Sequence, residues 1–117
     1  MNNKDVDIYA EQLDTQMRKG YLSYCVLLLC AKQPVYSGDI ITSLRESKLV
    51  VVEGTIYPLM AKLLRDGALE YEWQESQQGP PRKYYQLTDF GREVLARLTS
   101  QVHALQKVIT NLEKESS

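Results

Sequence analysis

Apolar and polar positions along this chain change period more than once, and each change marks an element. From Val6 or Tyr9 to about Lys32 the pattern predicts a first helix, with a bend admitted at Gly20. Tyr21, Leu22, Tyr24, Cys25, Val26, Leu27, Leu28 and Leu29 are apolar nearly all round, so that half must be covered on several sides. Gln33-Pro34-Val35-Tyr36 breaks the helix. Ser37 is suited to N-cap a second helix to about Ser47, with Ile40, Ile41 and Leu44 inward. A connection from Lys48 to Glu53 leads to a third, in which Ile56, Leu59, Met60, Leu63 and Leu64 form a one-sided stripe. Pro58 is tolerated only in a first turn, which dates the start to about Gly54 or Thr55, and Gly67 ends the helix.

The period then falls to two. Leu69-Glu70-Tyr71-Glu72-Trp73-Gln74 alternates as a half-buried strand does. Ser76-Gln77-Gln78-Gly79-Pro80-Pro81 is turn chemistry, and Arg82-Lys83-Tyr84-Tyr85-Gln86-Leu87 is the returning strand. Thr88 caps a last helix, with Asp89 placed for its N-terminal dipole. In that helix Leu95, Leu98, Val102, Leu105, Ile109 and Leu112 are spaced 3, 4, 3, 4, 3. So narrow an a/d seam points to a helix partner, either the same helix or the first helix of a second copy. The fold class is mainly α with a small β-hairpin: a winged helix-turn-helix with N- and C-terminal dimerisation helices. One domain is expected over residues 1–117, with the winged part and first helix in about 6–88 and the dimerisation helix in about 88–115.

Composition narrows the function by exclusion. A chain of 117 residues buries a limited core, and a second copy is one way to hide more apolar surface. The net charge of −1 brings no bulk attraction to nucleic acid, so any basic surface must be local. The N-terminal stretch lacks the pattern of a signal peptide, and the apolar run Cys25 to Ala31 is too short to span a bilayer; a cytoplasmic protein without membrane contact is expected. Cys25 and Cys30 would lie about 140° apart on a helix, unable to bridge, and are read as structural. His103 reads as a surface residue. No nucleophile has a neighbouring base, no metal-ligand cluster is spaced for a site, and no cofactor motif appears, so no enzyme is expected.

With the apolar stripe of the third helix inward, Gly54, Pro58, Ala61, Lys62 and Arg65 point away from the core, flanked by Thr55 and Tyr57. Small residues let the axis approach a groove, while Thr55 and Tyr57 offer hydrogen bonds near the helix N-terminus. Lys62 and Arg65 offer charge to phosphates. The hairpin adds Arg82 and Lys83 beside a tip stiffened by Gly79 and two prolines. With Ser37 at the start of the second helix, the residues expected to face double-stranded DNA are Ser37, Gly54, Thr55, Tyr57, Pro58, Lys62, Arg65, Gly79, Arg82 and Lys83. Glu70, Glu72 and Glu75 oppose this unless they pair with Arg82 and Lys83 across the hairpin. A winged-helix module that binds protein without specific DNA recognition therefore stays open as the alternative. Leu13, Met17, Val102 and Ile109 could border an effector pocket between the first and last helices, or merely complete a dimer core.

Two stretches resemble the PadR family of bacterial transcriptional regulators: Glu53-Gly54-Thr55-Ile56-Tyr57-Pro58-Leu59 through Leu63 and Gly67, and Gly79-Pro80-Pro81-Arg82-Lys83-Tyr84-Tyr85-Gln86-Leu87-Thr88 with Gly91. The first is similar to that family's G-T-[IL]-Y-P recognition-helix motif and the second to its wing. The resemblance implies a homodimeric repressor with the third helix in the major groove of an inverted-repeat operator and the wing on the flanking backbone. It further implies the compact branch, whose terminal helix packs against the partner's first helix, and some of whose members take planar aromatic effectors at the dimer centre. Multidrug-binding members carry an important tryptophan on the last helix, near whose corresponding place Val102 lies here; the only tryptophan of this chain, Trp73, is on the wing. Two other departures are Gly38, where an aromatic is frequent, and Leu64, where an acidic residue is common.

Overall fold

A computed structural model of the chain describes residues 2–49 and 53–116. The elements are α1 (Asn3–Leu29), β1 (Val35–Tyr36), α2 (Ser37–Glu46), a 3-10 turn (Glu53–Thr55), α3 (Ile56–Arg65), β2 (Leu69–Ser76), β3 (Gly79–Leu87) and α4 (Asp89–Glu115). The expected connection from Lys48 to Glu53 includes residues 50–52, which lie outside the described residues.

Capping explains where the helices start and stop. α1 begins before its apolar stripe because the Asn2 side chain accepts from the Asp5 backbone N–H at 2.9 Å. It runs unbroken through Gly20 and ends at Leu29, short of the expected Lys32, with Cys30 as its C-cap. Ser37 is not an N-cap: Tyr36 holds that position in extended conformation, and Ser37 is the first helical residue. The reason is that Tyr36 is still part of a strand, so sheet passes into helix with no linker. α2 and α3 end alike. Leu49 N–H donates to Leu44 O and Lys48 N–H to Arg45 O after α2; Ala68 N–H donates to Leu63 O and Gly67 N–H to Leu64 O after α3. Both are Schellman closures, which need a left-handed residue. Gly67 supplies it at φ 82, whereas α2 uses Lys48 at φ 60, a conformation uncommon outside glycine.

The sheet is antiparallel in the order β1-β3-β2, one strand more than the hairpin expected from sequence. Val35 pairs with Tyr85 and Tyr36 with Tyr84. The wing tip also lies elsewhere than expected. Ser76 pairs with Gly79, so Gln77 and Gln78 make the turn. Pro80 and Pro81 belong to β3, set opposite Glu75 at an irregularity in the register. Two prolines fit there because a bulge asks no ladder hydrogen bond of them, and β1 is too short to reach that end of β3.

One apolar cluster joins Leu22, Val26 and Leu27 of α1, Ile40, Ile41 and Leu44 of α2, Ile56, Met60 and Leu63 of α3, and Leu69, Tyr85 and Leu87 of the sheet. α4 closes it with Val94, Leu95 and Leu98. Thr88 is its N-cap, accepting from the Gly91 N–H at 2.9 Å, as expected. The expected seam, however, divides. Leu95 and Leu98 pack half-buried on the chain's own core, while Leu105, Ile109 and Leu112 are 47%, 44% and 59% exposed. α1 mirrors this, with Val6, Tyr9, Leu13 and Met17 exposed along its first half. The radius of gyration, 17.3 Å, exceeds the roughly 13 Å of a compact chain of similar size, because the two 27-residue helices outrun the core. No helix among the described residues is long and apolar enough to cross a membrane.

Both cysteines are free and serve the core. Burial pushes the Cys25 thiol up, and the Cys30 thiol up to about 11 from an ordinary 9.0. The unfolded thiol therefore ionises first, so stability should fall as pH rises from 9 towards about 11. Thermal unfolding across that range checks this: Cys30→Ala, weaker throughout because of its cavity, should lose less additional stability than the parent chain. An equal additional loss would assign the alkaline sensitivity to other groups.

Candidate nucleic-acid interface

α3 is where local pattern and surface chemistry separate most cleanly. Ile56, Met60 and Leu63 are buried, whereas Gly54, Tyr57, Pro58, Ala61, Lys62 and Arg65 are exposed and Thr55 is half-buried. Pro58 lies in the first turn, where its missing N–H breaks no intrahelical bond. Thr55 is the N-cap position without a side-chain cap bond, so its hydroxyl is not committed to closing the helix. Lys62 is partly committed: its Nζ lies 2.6 Å from Asp66 Oδ2, one turn on. That pair is well exposed and worth about 0–1 kcal/mol, so a phosphate can compete for the ammonium.

The wing cations are held by rings, not by carboxylates. The Arg82 guanidinium lies over the Tyr36 ring at 4.5 Å, and Lys83 Nζ lies 4.4 Å from the Tyr71 centroid and 5.4 Å from that of Trp73. Pairing of Glu70, Glu72 and Glu75 with Arg82 and Lys83, raised from sequence, does not occur among the described residues. Glu70 accepts from Gln86 and Glu72 from Gln74 instead. The departure at Gly38 has a visible consequence: a Cβ there would stand 2.6 Å from the Tyr36 ring, so glycine leaves room for the ring that seats Arg82. Ser37, half-buried, adjoins this ring at the start of α2 and lines, with Gly79, Arg82, Lys83 and Trp73, an open cleft of about 390 Å³ at the edge of the wing.

At the foot of the wing Tyr85 is buried, its ring 5.8 Å from that of Tyr71. Burial pushes its phenol up, with smaller contributions from Tyr71, Tyr57 and Cys30. The foot of the hairpin's inner face, through Leu69, Tyr85 and Leu87, thus shares one core cluster with the buried side of α3. Sequence reasoning passed over Tyr36, Tyr71 and Trp73 as functional positions. The available signal was that Tyr71 and Trp73 alternate on β2, the strand that pairs with the cation-bearing β3.

Of the four residues considered for an effector pocket, Leu13 and Met17 stand one turn apart on α1, and Val102 and Ile109 two turns apart on α4. Leu13 borders an apolar hollow of about 310 Å³ with Val6, Tyr9 and Ala10. Met17 and Ile109 are exposed, and Val102 is half-buried.

Residues 26–97 match the family model described as the transcriptional regulator PadR-like family. The chain is similar to a solved PadR-like transcription factor from Bacteroides fragilis, at 48% identity over 86% of this chain and 98% of that one, TM-score 0.70. It is similar also to a PadR-family regulator from Eggerthella lenta, at 31% identity over 93% and 96% of the two chains, TM-score 0.82. A third likeness is to a PadR-like regulator from Bacillus cereus, at 33% identity over 83% and 95%, TM-score 0.74.

Proposed function

We propose, from the premise that this chain belongs to the transcriptional regulator PadR-like family, that it is a homodimeric, sequence-specific DNA-binding repressor acting at an inverted repeat. The observation that carries the reading is the outward face of α3. Thr55, Tyr57, Lys62 and Arg65 stand clear of a helix whose other side is locked in the core. An α-helix so presented fits a major groove, and its N-terminal residues reach the base edges. The wing lies on the flanking backbone. The second copy covers the apolar halves of α1 and α4, and only in that pairing do Leu13, Met17, Val102 and Ile109 come together as an effector site.

The test is binding to the DNA upstream of its own gene against a random duplex, over a series of salt concentrations. Thr55→Ala and Tyr57→Ala should each lower the preference by about tenfold or more, the usual cost of one lost base contact. Lys83→Ala should weaken both duplexes alike and flatten the salt dependence by about 1.8 in log–log slope, or about 0.9 for each wing of the dimer. Absence of any preference for the upstream DNA, even at low salt, would refute specific recognition. The exposed acidic face of the wing, Glu70 and Glu72, favours protein binding as a second reading. A Lys62/Arg82/Lys83 triple alanine variant with full regulatory activity in cells would select it.

A further inference from the structure

Neighbouring residues on a strand point to opposite faces, so the hairpin register separates the two adjacent wing cations. Lys83 pairs with Trp73 on the face that also carries Leu69, Tyr71, Tyr85 and Leu87. Arg82 pairs with Gln74 on the face that carries Glu70, Glu72 and Tyr84. The first of these faces is buried at its foot, where Leu69, Tyr85 and Leu87 share one cluster with Ile56, Met60 and Leu63 of α3. Farther out it runs on as Tyr71 and Trp73, which are 42% and 60% exposed and so add little to that core. Their rings stand edge to face, at 6.1 Å and 88°, and both lie under the same ammonium. Each ring is within the roughly 6 Å over which an aromatic face attracts a cation. Lysine has a long flexible stem, and two rings restrict where its head can be.

We propose that Tyr71 and Trp73 are positioning residues that hold Lys83 on the recognition-helix side of the wing, poised for one phosphate of the DNA backbone, whereas Arg82 lies on the opposite, glutamate-bearing face. Arg82 sits over Tyr36 and shares its face with Glu70 and Glu72, whose charges repel phosphate. The proposal rests on the DNA-binding reading above and assigns the work of the wing to one of its two cations.

Binding of a random-sequence duplex across a salt series tests it, since a phosphate contact is indifferent to sequence. Lys83→Met should reduce the log–log salt slope of the dimer by about 1.8, or about 0.9 for each of its two wings, and Arg82→Met should leave it unchanged. Trp73→Leu should weaken binding of the dimer roughly five- to hundredfold, the cost of ordering one freed long side chain in each copy, and should add nothing once Lys83 is methionine. Trp73→Phe should restore most of the affinity, because any aromatic face can seat the ammonium. Trp73 is the sole tryptophan, so Lys83→Met should also change its emission in the free protein. Wild-type affinity and slope in Trp73→Leu, full additivity with Lys83→Met, or a slope carried by Arg82 would each overturn the proposal alone. A wild-type protein that binds no duplex at any salt would overturn the DNA-binding reading and this proposal with it, even with the emission change intact.

Discussion

Replacing Leu105 and Ile109 together by aspartate should convert the protein to a monomer and weaken operator binding by a factor between about 10² and 10⁴. Both side chains are about half exposed in a single chain, so the substitution leaves the chain's own core intact. Each is worth about 1.5–3 kcal/mol when fully buried, and two-fold symmetry makes every change count twice. Aspartates in their place would have to be desolvated against Val6, Tyr9, Leu13 or their like on the partner. The large loss in DNA binding follows because one recognition helix makes few contacts, and the second binds at a high effective concentration only while the copies are joined. Sedimentation equilibrium reads the first effect and a DNA titration the second. A variant that stays dimeric would place the interface elsewhere. Leu95→Asp is the informative contrast: Leu95 packs on the chain's own core, so that variant should unfold instead of dissociating cleanly.

Gly91→Ala should cost about 3 kcal/mol or more, the upper range for overpacking, and lower the unfolding temperature by on the order of 10 °C. Gly91 is buried in the first turn of α4, and an added Cβ would lie 2.1 Å from the Ala68 carbonyl oxygen. That oxygen cannot simply yield. It accepts from Thr88 N–H at 3.2 Å, while Thr88 Oγ1 donates to the adjacent Gly67 carbonyl at 2.5 Å and Ala68 N–H closes the end of α3. One methyl group thus strains the end of α3, the start of β2 and the cap of α4 together. Gly20→Ala is the control, because nothing lies within 4 Å of its would-be Cβ and mid-helix alanine is favoured by about 0.5–1 kcal/mol. Melting curves at one fixed protein concentration separate the two. An unchanged melting temperature in Gly91→Ala would mean that the α3–α4 junction is looser than described.

Much of the candidate site was legible because its determinants are local. The stripe Ile56, Met60, Leu63 decides which side of α3 is buried, and therefore that Tyr57, Lys62 and Arg65 are not. Pro58, Gly67 and Thr88 mark boundaries through backbone chemistry acting within a turn or two. What escaped was non-local or too short to have a period. β1 has only two residues, and nothing but its pairing with Tyr84 and Tyr85 makes it a strand. Asn2 caps α1 ahead of the apolar stripe, so the periodicity of the helix does not reach its start.

The sequence by itself determined the order of elements, the inner face of each helix and the motif pair that resembles a known family, since periodicity and capping are properties of neighbouring residues. Only the tertiary structure decided how the last helix divides its seam between its own core and a free end, and on which ring each wing cation rests. Both depend on the partner an element meets. A one-residue slip of β3 against its neighbours would exchange the faces of Arg82 and Lys83 without altering a letter of the sequence.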